Sequence, residues 1–184
     1  MFGKATNTTG FVPYTGDGFA ILLPSKWIPS KEQDFLNQGL ETALRYEDNF
    51  DAVNTLMVLK QKAAGGDVGA YGNVEEFLKK FGFILGTQSF SGDTISEGGF
   101  GRGRVASASV LSLGESTDKK GRKQYRYEIL NRTADGNEGG RHQLITGVVS
   151  DGNLYILKIQ AGDKRWFKGV RAEAEGSWNS FTVV

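Results

Sequence analysis

A two-residue turn signal, Asp151-Gly152, constrains the fold of this chain more than any other stretch. An Asp-Gly pair favours the tight turn of a β-hairpin, and apolar runs flank it on both sides. The turn fixes the register, so Ser150 faces Asn153 and His142 faces Ala161 at the far end of the ladder. Both faces of this hairpin are apolar, which predicts a central pair of strands covered on both sides.

Apolar periodicity predicts further strands and two helices around the hairpin. The other predicted strands span residues 18–23, 44–48, 54–61, 104–115 and 123–133. Helices are predicted over 73–86, capped by Asn73, and over 164–180. Because short turns join the strands from residue 104 onward, these strands must pair antiparallel. We therefore expect an α/β (α+β) fold, an α/β/α sandwich with a central, mostly antiparallel sheet of about six strands.

The 184 residues are enough for one well-packed domain, which we predict over residues 16–184. Residues 1–15 lack apolar periodicity and are predicted to form a flexible N-terminal arm, which is either a frayed terminus or a docking arm that orders on a partner. Glycine-rich stretches near 87–103 and 134–140 are predicted to be mobile loops within the domain. The N-terminus has neither a signal-peptide core nor a transit-peptide pattern, so we expect either a protein that stays where it is made or a mature or trimmed form.

Charge is balanced over the chain but unevenly distributed. The 22 cations and 21 anions leave a net charge of +1, which argues against nucleic-acid binding. Residues 141–171 hold six cations and two acids, so the rest of the chain holds sixteen cations and nineteen acids. The absence of cysteine excludes disulfides, thiolate metal sites and cysteine nucleophiles.

Basic residues cluster at the predicted start of the last helix, where Lys164, Arg165 and Lys168 fall in the first two turns. Cations there oppose the helix dipole by roughly 0.3–1 kcal/mol each. Placement that works against the helix indicates a role in binding an acidic protein surface, with an attraction that fades as salt rises. A merely solvated face is the alternative.

The single histidine, His142, is predicted to lie beside Asp163 across the strand end. Asp163 is expected to cap the following helix and to orient His142 through a hydrogen bond. The alternative is a weak metal site, because imidazole and carboxylate suit Zn²⁺ or Mn²⁺. No cofactor is expected to bind tightly, and any bound Mn²⁺, Zn²⁺ or Ca²⁺ would be labile. Without a nucleophile elbow, a P-loop or a dinucleotide fingerprint, no enzyme activity is expected.

Seven blocks of sequence, spread in one register over nearly the whole chain, resemble one known family. They are Phe2-Gly-Lys4, Y-T-G-D-G-F (14–19), P-S-K-W (24–27), L-R-Y-E-D-N-F-D-A (44–52), S-G-D-T-I-S-E-G-G-F (91–100), R-T-A-D-G-N-E-G-G-R-H-Q-L-I-T (132–146) and Q-A-G-D-K-R-W-F-K-G (160–169). These blocks resemble the PsbP family, extrinsic subunits of the oxygen-evolving complex of photosystem II, in the chloroplast form of the green lineage.

The resemblance implies a non-catalytic subunit on the lumenal face of photosystem II, which stabilises the manganese cluster and promotes Ca²⁺ and Cl⁻ retention. It implies a location in the chloroplast thylakoid lumen, peripheral to the membrane, and a protein that is a monomer when free. The implied partners are photosystem II core subunits and other extrinsic subunits such as PsbQ. The residues implied for partner binding are Phe2, Gly3, Lys4, Lys26, Arg45, Arg141, His142, Lys164, Arg165 and Lys168. A PsbP-like photosystem assembly factor and a Mn²⁺ or Zn²⁺ carrier are the alternatives.

Overall fold

The computed structural model describes residues 10–30, 39–85, 105–133 and 140–184 of the protein. The strands in these ranges are β1 (Phe11–Thr15), β2 (Phe19–Pro24), β3 (Trp27–Pro29), β4 (Glu41–Asp48), β5 (Thr55–Lys62), β6 (Val105–Thr117), β7 (Lys123–Thr133), β8 (Gly140–Ser150), β9 (Asn153–Gly162) and β10 (Thr182–Val183). The α-helices are α1 (Val74–Phe81), α2 (Asp163–Arg165) and α3 (Arg171–Ser180). Turns of 3₁₀ helix, Val68–Tyr71 and Gly82–Leu85, flank α1, and a π-helical turn, Trp166–Val170, joins α2 to α3.

A seven-stranded antiparallel sheet forms the centre of the described structure, in the order β3-β4-β5-β9-β8-β7-β6. The mixed α+β fold with an antiparallel sheet is therefore confirmed, with one strand more than the expected six. The β8–β9 hairpin has the predicted register, since Ser150 pairs with Asn153 and His142 with Ala161. Its turn residues Asp151 and Gly152 have φ angles of 50° and 77°. Both angles lie in the left-handed region that a tight hairpin turn requires, which is why Asp-Gly predicts it.

One face of the central sheet is covered by the C-terminal helical segment together with a second, smaller sheet. Leu144, Leu157 and Ile159 of the hairpin pack there in one core with Trp166 and Val170 of the π-helical turn. The second sheet has three antiparallel strands in the order β1-β2-β10 and contributes Phe19, Ile21 and Leu23 of β2 to the same core. β1 and β2 are neighbours in sequence, but β10 pairs with β2 from the far end of the chain, so local patterns did not separate this sheet from the central one.

The opposite face of the sheet is covered by helix α1. Asn73 accepts a hydrogen bond from the N–H of Glu76 at 2.8 Å, and Glu76 accepts one from the N–H of Asn73 at 3.0 Å. This reciprocal capping box satisfies two N–H groups at the helix start and explains where α1 begins. Phe77, Leu78 and Phe81 then project at helical spacing into the second core. The predicted helix, its cap and its apolar stripe are confirmed.

The prediction of a flexible arm over 1–15 is wrong for residues 11–15, because Phe11–Thr15 forms β1 and pairs with β2. Residues 1–9, with the candidate docking residues Phe2, Gly3 and Lys4, lie outside the described residues. The same holds for the loop predicted at 87–103 and for 134–139 of the second loop, whereas Gly140 begins β8.

Candidate docking site

The basic residues of the last hairpin and the last helical segment meet at one end of the central sheet. Register places Arg141 opposite Gly162, directly before α2. A pocket of about 200 Å³ opens at this junction. Its lining consists of Asp51, Val53, Arg141, Gly162, Asp163 and Lys164. We call Arg141, Lys164, Arg165, Lys168 and Arg171 the basic corner. Arg141 of the hairpin and Lys164 of the helical segment line one pocket, and their role in partner binding stays a prediction.

His142 lies beneath the basic corner, with only 8% of its side chain exposed. Its Nε2 is 3.0 Å from Oδ1 of Asp163, so the predicted contact between these residues is present. The imidazole is stacked on the indole of Trp166 and meets the ring of Phe167 edge-on. Its Nδ1 is buried and has no hydrogen-bond partner among the described residues. A ring that is buried, stacked and bonded in this way positions its neighbours and is poorly placed to reach a substrate.

The predicted capping role of Asp163 is wrong. Gly162 occupies the N-cap position and makes no side-chain capping bond, while Asp163 is already the first residue of α2. Its carboxylate faces His142 instead. Because Asp163 lies one residue after the N-cap position, its carboxylate contacts the imidazole and does not cap the helix.

The last helix is not continuous, so the prediction that its cations oppose a single helix dipole does not hold. Lys164 and Arg165 belong to a helix of only three residues, and Lys168 lies in the π-helical turn. Lys168 and Gly169 leave helical geometry, with Gly169 at φ 110° and ψ −20°, and α3 starts afresh at Arg171. A helix dipole needs aligned peptide units over several turns. The cations therefore do not share one helix N-terminus.

The cations of the basic corner differ in how far they are already paired. Arg171 contacts Glu175, Nε to Oε2, at 3.3 Å, and Arg165 lies 4.0 Å from the carboxylate of Asp51. Lys164 and Lys168 are exposed and make no ion pair or hydrogen bond with any residue in the described ranges. These two lysines are consequently the cations most available to an external acidic group.

Two of the expected docking cations lie outside the basic corner. Lys26 is exposed in the turn between β2 and β3, and its positive charge acts to lower the pKa of Glu173 in α3. Arg45 of β4 has only 10% of its side chain exposed. It lies 3.7 Å from Glu47 and donates a hydrogen bond to Oγ of Ser30. Because these contacts enclose its guanidinium, Arg45 offers little charge to a partner.

Two exposed aromatic residues at this end were not identified from the sequence. Phe167 is 77% exposed in the π-helical turn, and Phe50 is 65% exposed in the corner between β4 and β5. Apolar residues are expected inside by default, so composition alone did not single them out. Their place beside charged residues, acidic in D-N-F-D and basic in R-W-F-K, is the only local signal of their exposure.

The described residues bring His142 and Asp163 together as candidate metal ligands. No group of three or more histidine, cysteine, aspartate and glutamate residues is close enough to hold a metal ion in the described part of the chain. His142 and Asp163 supply two ligands, where structural zinc sites use four. Over the same ranges no helix has the length and apolar character to cross a membrane.

Both the sequence and the fold of the chain match known proteins. The sequence profile of the PsbP family matches residues 9–183. The chain is similar in structure to cyanobacterial PsbP (CyanoP) from Synechocystis sp. PCC 6803, solved in solution, with a TM-score of 0.67, 16% identity, and coverage of 95% of this chain and 93% of that chain. A crystal structure from Bacteroides thetaiotaomicron VPI-5482 covers 90% of this chain and 45% of its own, with 13% identity and a TM-score of 0.39. The structural similarity to CyanoP shows that the two proteins share a fold.

Proposed function

This chain belongs to the PsbP family, and we propose that it is a non-catalytic extrinsic subunit of photosystem II. In this role it docks on the lumenal face of the complex, stabilises the manganese cluster and promotes Ca²⁺ and Cl⁻ retention. We further propose the chloroplast thylakoid lumen as its location, and core subunits and PsbQ as its neighbours.

The observation that carries the proposal is the pair of exposed lysines in the basic corner. Lys164 and Lys168 have no partner among the described residues, yet they project from a segment fixed to the core by Trp166 and Val170. Unpaired cations on a rigid support attract an acidic protein surface without first breaking internal ion pairs. The buried state of His142 agrees with a binding role, because the one imidazole of the chain is not presented to solvent.

Reconstitution tests this function directly. Photosystem II membranes are washed with salt to remove extrinsic proteins, and the purified protein is added back at low Ca²⁺ and Cl⁻. We expect rebinding and recovery of oxygen evolution, both weakened when salt is raised during rebinding. A full-length protein that neither rebinds nor restores activity would contradict the proposal.

The same preparation separates a mature subunit from an assembly factor. A subunit co-purifies with intact complexes that evolve oxygen, whereas an assembly factor co-purifies with incomplete intermediates. Co-purification with intermediates alone would replace the proposed role with the assembly role.

A further inference from the structure

Phe167 and Phe50 are the two most exposed large apolar side chains in the described part of the protein. A single exposed aromatic ring is common, whereas exposed apolar side chains grouped at one end of a molecule typically mark an interaction site. Neither ring contributes to the two cores that stabilise the fold. Their exposure therefore needs an explanation other than packing within the described ranges.

The two rings lie on connected elements of the same surface. Arg165, two residues before Phe167, lies 4.0 Å from Asp51, the residue after Phe50. The N–H of Gly162 donates to Oδ1 of the buried Asn54 at 2.8 Å, which joins the end of β9 to the β4–β5 corner. The pocket at the basic corner has walls from both elements. Phe50 and Phe167 thus belong to one surface that also carries Lys164.

The corner that carries Phe50 is held in place by buried hydrogen bonds. The N–H of Phe50 donates to Oδ1 of Asp48 at 3.0 Å, and Nδ2 of Asn54 donates to Oδ2 of the same carboxylate at 2.9 Å. Asp48 and Asn54 are both buried, at 6% and 0% exposed. A backbone fixed in this way loses little freedom when its side chain is bound, which favours affinity.

The turn that carries Phe167 is fixed by its neighbour. Trp166 is buried against His142, whereas the side chain of Phe167 is 77% exposed. The ring of Phe167 remains edge-on to His142 at 6.5 Å between centroids and 87° between planes. An aromatic side chain has only two rotatable angles, so it offers large contact area at low entropic cost.

We propose that Phe50 and Phe167 are anchor residues that insert into apolar depressions of an acidic protein surface, flanked by Lys164 and Lys168. This inference rests on the proposed function and names the kind of partner that the basic corner takes. Aromatic anchors enclosed by charged residues are the usual pattern of binding hot spots between proteins. The lysines then steer the encounter, and the rings hold the complex.

A protein fits this surface better than an anionic lipid layer. The carboxylates of Asp51 and Asp163, which line the pocket of the basic corner, are 34% and 38% exposed. A continuous layer of negatively charged headgroups would repel these carboxylates. A protein surface offers donors opposite them and acids opposite the lysines, so it complements both signs at once.

The test measures rebinding of single variants to salt-washed photosystem II membranes. Phe50→Ala and Phe167→Ala are compared with Leu111→Ala, which removes another exposed side chain (51%) from β6 at the far edge of the sheet. We expect each phenylalanine variant to bind roughly 5- to 30-fold more weakly, with an unchanged dependence on salt. Phe50→Leu and Phe167→Leu should recover most of the affinity, and Leu111→Ala should bind as the wild type does.

Three outcomes would overturn the inference. Affinities of both alanine variants within twofold of the wild type would remove the anchors while leaving the proposed function intact. Wild-type binding to vesicles of anionic lipid, lost in the same variants, would assign the rings to a membrane surface. Failure of the wild type to rebind at any salt concentration would refute the proposed function, and this inference with it. Melting temperatures equal to that of the wild type confirm that each variant is folded.

Discussion

The imidazole of His142 lies parallel to the indole of Trp166, with ring centroids 4.0 Å apart and 3° between the planes. This stack joins β8 to the π-helical turn, and the contact with Asp163 joins β8 to α2. His142→Ala removes both contacts and leaves a space beneath the basic corner. We expect the free energy of unfolding to fall by about 1–3 kcal/mol in urea denaturation.

Asp163→Asn is the matched control for this variant, because it retains a side chain that can bond His142 and leaves the stack in place. It should cost about 1 kcal/mol or less, since the residue is partly exposed. Equal stability of His142→Ala and the wild type would show that the stack contributes nothing to the fold.

Metal binding at His142 and Asp163 is predicted to be weak and labile. Their hydrogen-bond distance of 3.0 Å means that the contact must open before Nε2 can take a metal, and Nδ1 is buried. Titration calorimetry with Zn²⁺, Mn²⁺ and Ca²⁺ should give at most a weak signal, lost in His142→Ala and Asp163→Ala. Asp51→Ala, from the same pocket, should retain it. Tight, stoichiometric binding would favour the metal-carrier alternative.

Local rules explain which parts of the site were predictable. An Asp-Gly turn fixes every pairing along its hairpin, so the sequence alone placed His142 correctly opposite Ala161. The break at Gly169 was missed because Trp166 and Val170 keep a four-residue spacing in both a continuous and a broken helix. Periodicity reports which side chains are buried, and it does not report the backbone path between them.

Long-range pairing and exposure were beyond local rules. β10 has two residues and pairs with β2 across more than 150 positions, a contact that no local pattern encodes. The exposure of Phe50 depends on the buried carboxylate of Asp48, which holds its N–H from two residues away. Such bonds are visible only once the strands are in place.

Gly169 is predicted to be required for the shape of the π-helical turn. Its φ of 110° is a conformation that residues with a side chain rarely adopt, although no atom of the described residues lies within 4 Å of an added Cβ. Gly169→Ala should therefore lower the free energy of unfolding by about 1–2 kcal/mol through backbone strain alone. Gly114→Ala is the control, because it has equal open space and no positive φ. Similar stabilities of the two variants, compared by thermal unfolding, would show that the turn is not strained.

Glu173 in α3 is predicted to make stability depend on pH. Burial raises the pKa of its carboxyl, Asp48 raises it further, and Lys26 opposes them. The folded state thus holds this proton more tightly than the unfolded chain. The free energy of unfolding consequently falls as pH rises from the ordinary value of 4.5 through the raised pKa.

Glu173→Gln should be more stable than the wild type above this window and nearly equal to it below. Urea denaturation at several pH values measures the difference. Glu175→Gln serves as control, because Glu175 pairs with Arg171 at 3.3 Å and gains nothing from neutralisation. A difference between Glu173→Gln and the wild type that is constant with pH would contradict the assignment.

Charge reversal at Lys164 and Lys168 tests the basic corner as the docking site. Both lysines are exposed and have no partner within the described ranges, so Lys164→Glu/Lys168→Glu should leave the melting temperature unchanged. Its affinity for salt-washed photosystem II membranes should fall about tenfold or more at low salt, because two attractions become repulsions. The difference in affinity between this variant and the wild type should narrow as salt rises and screens these charges.

Lys119→Glu/Lys120→Glu is the control, because it changes the net charge equally in the exposed turn between β6 and β7, and it should rebind normally. If both double variants lose affinity to the same extent, net charge governs rebinding, and the basic corner has no special part in it.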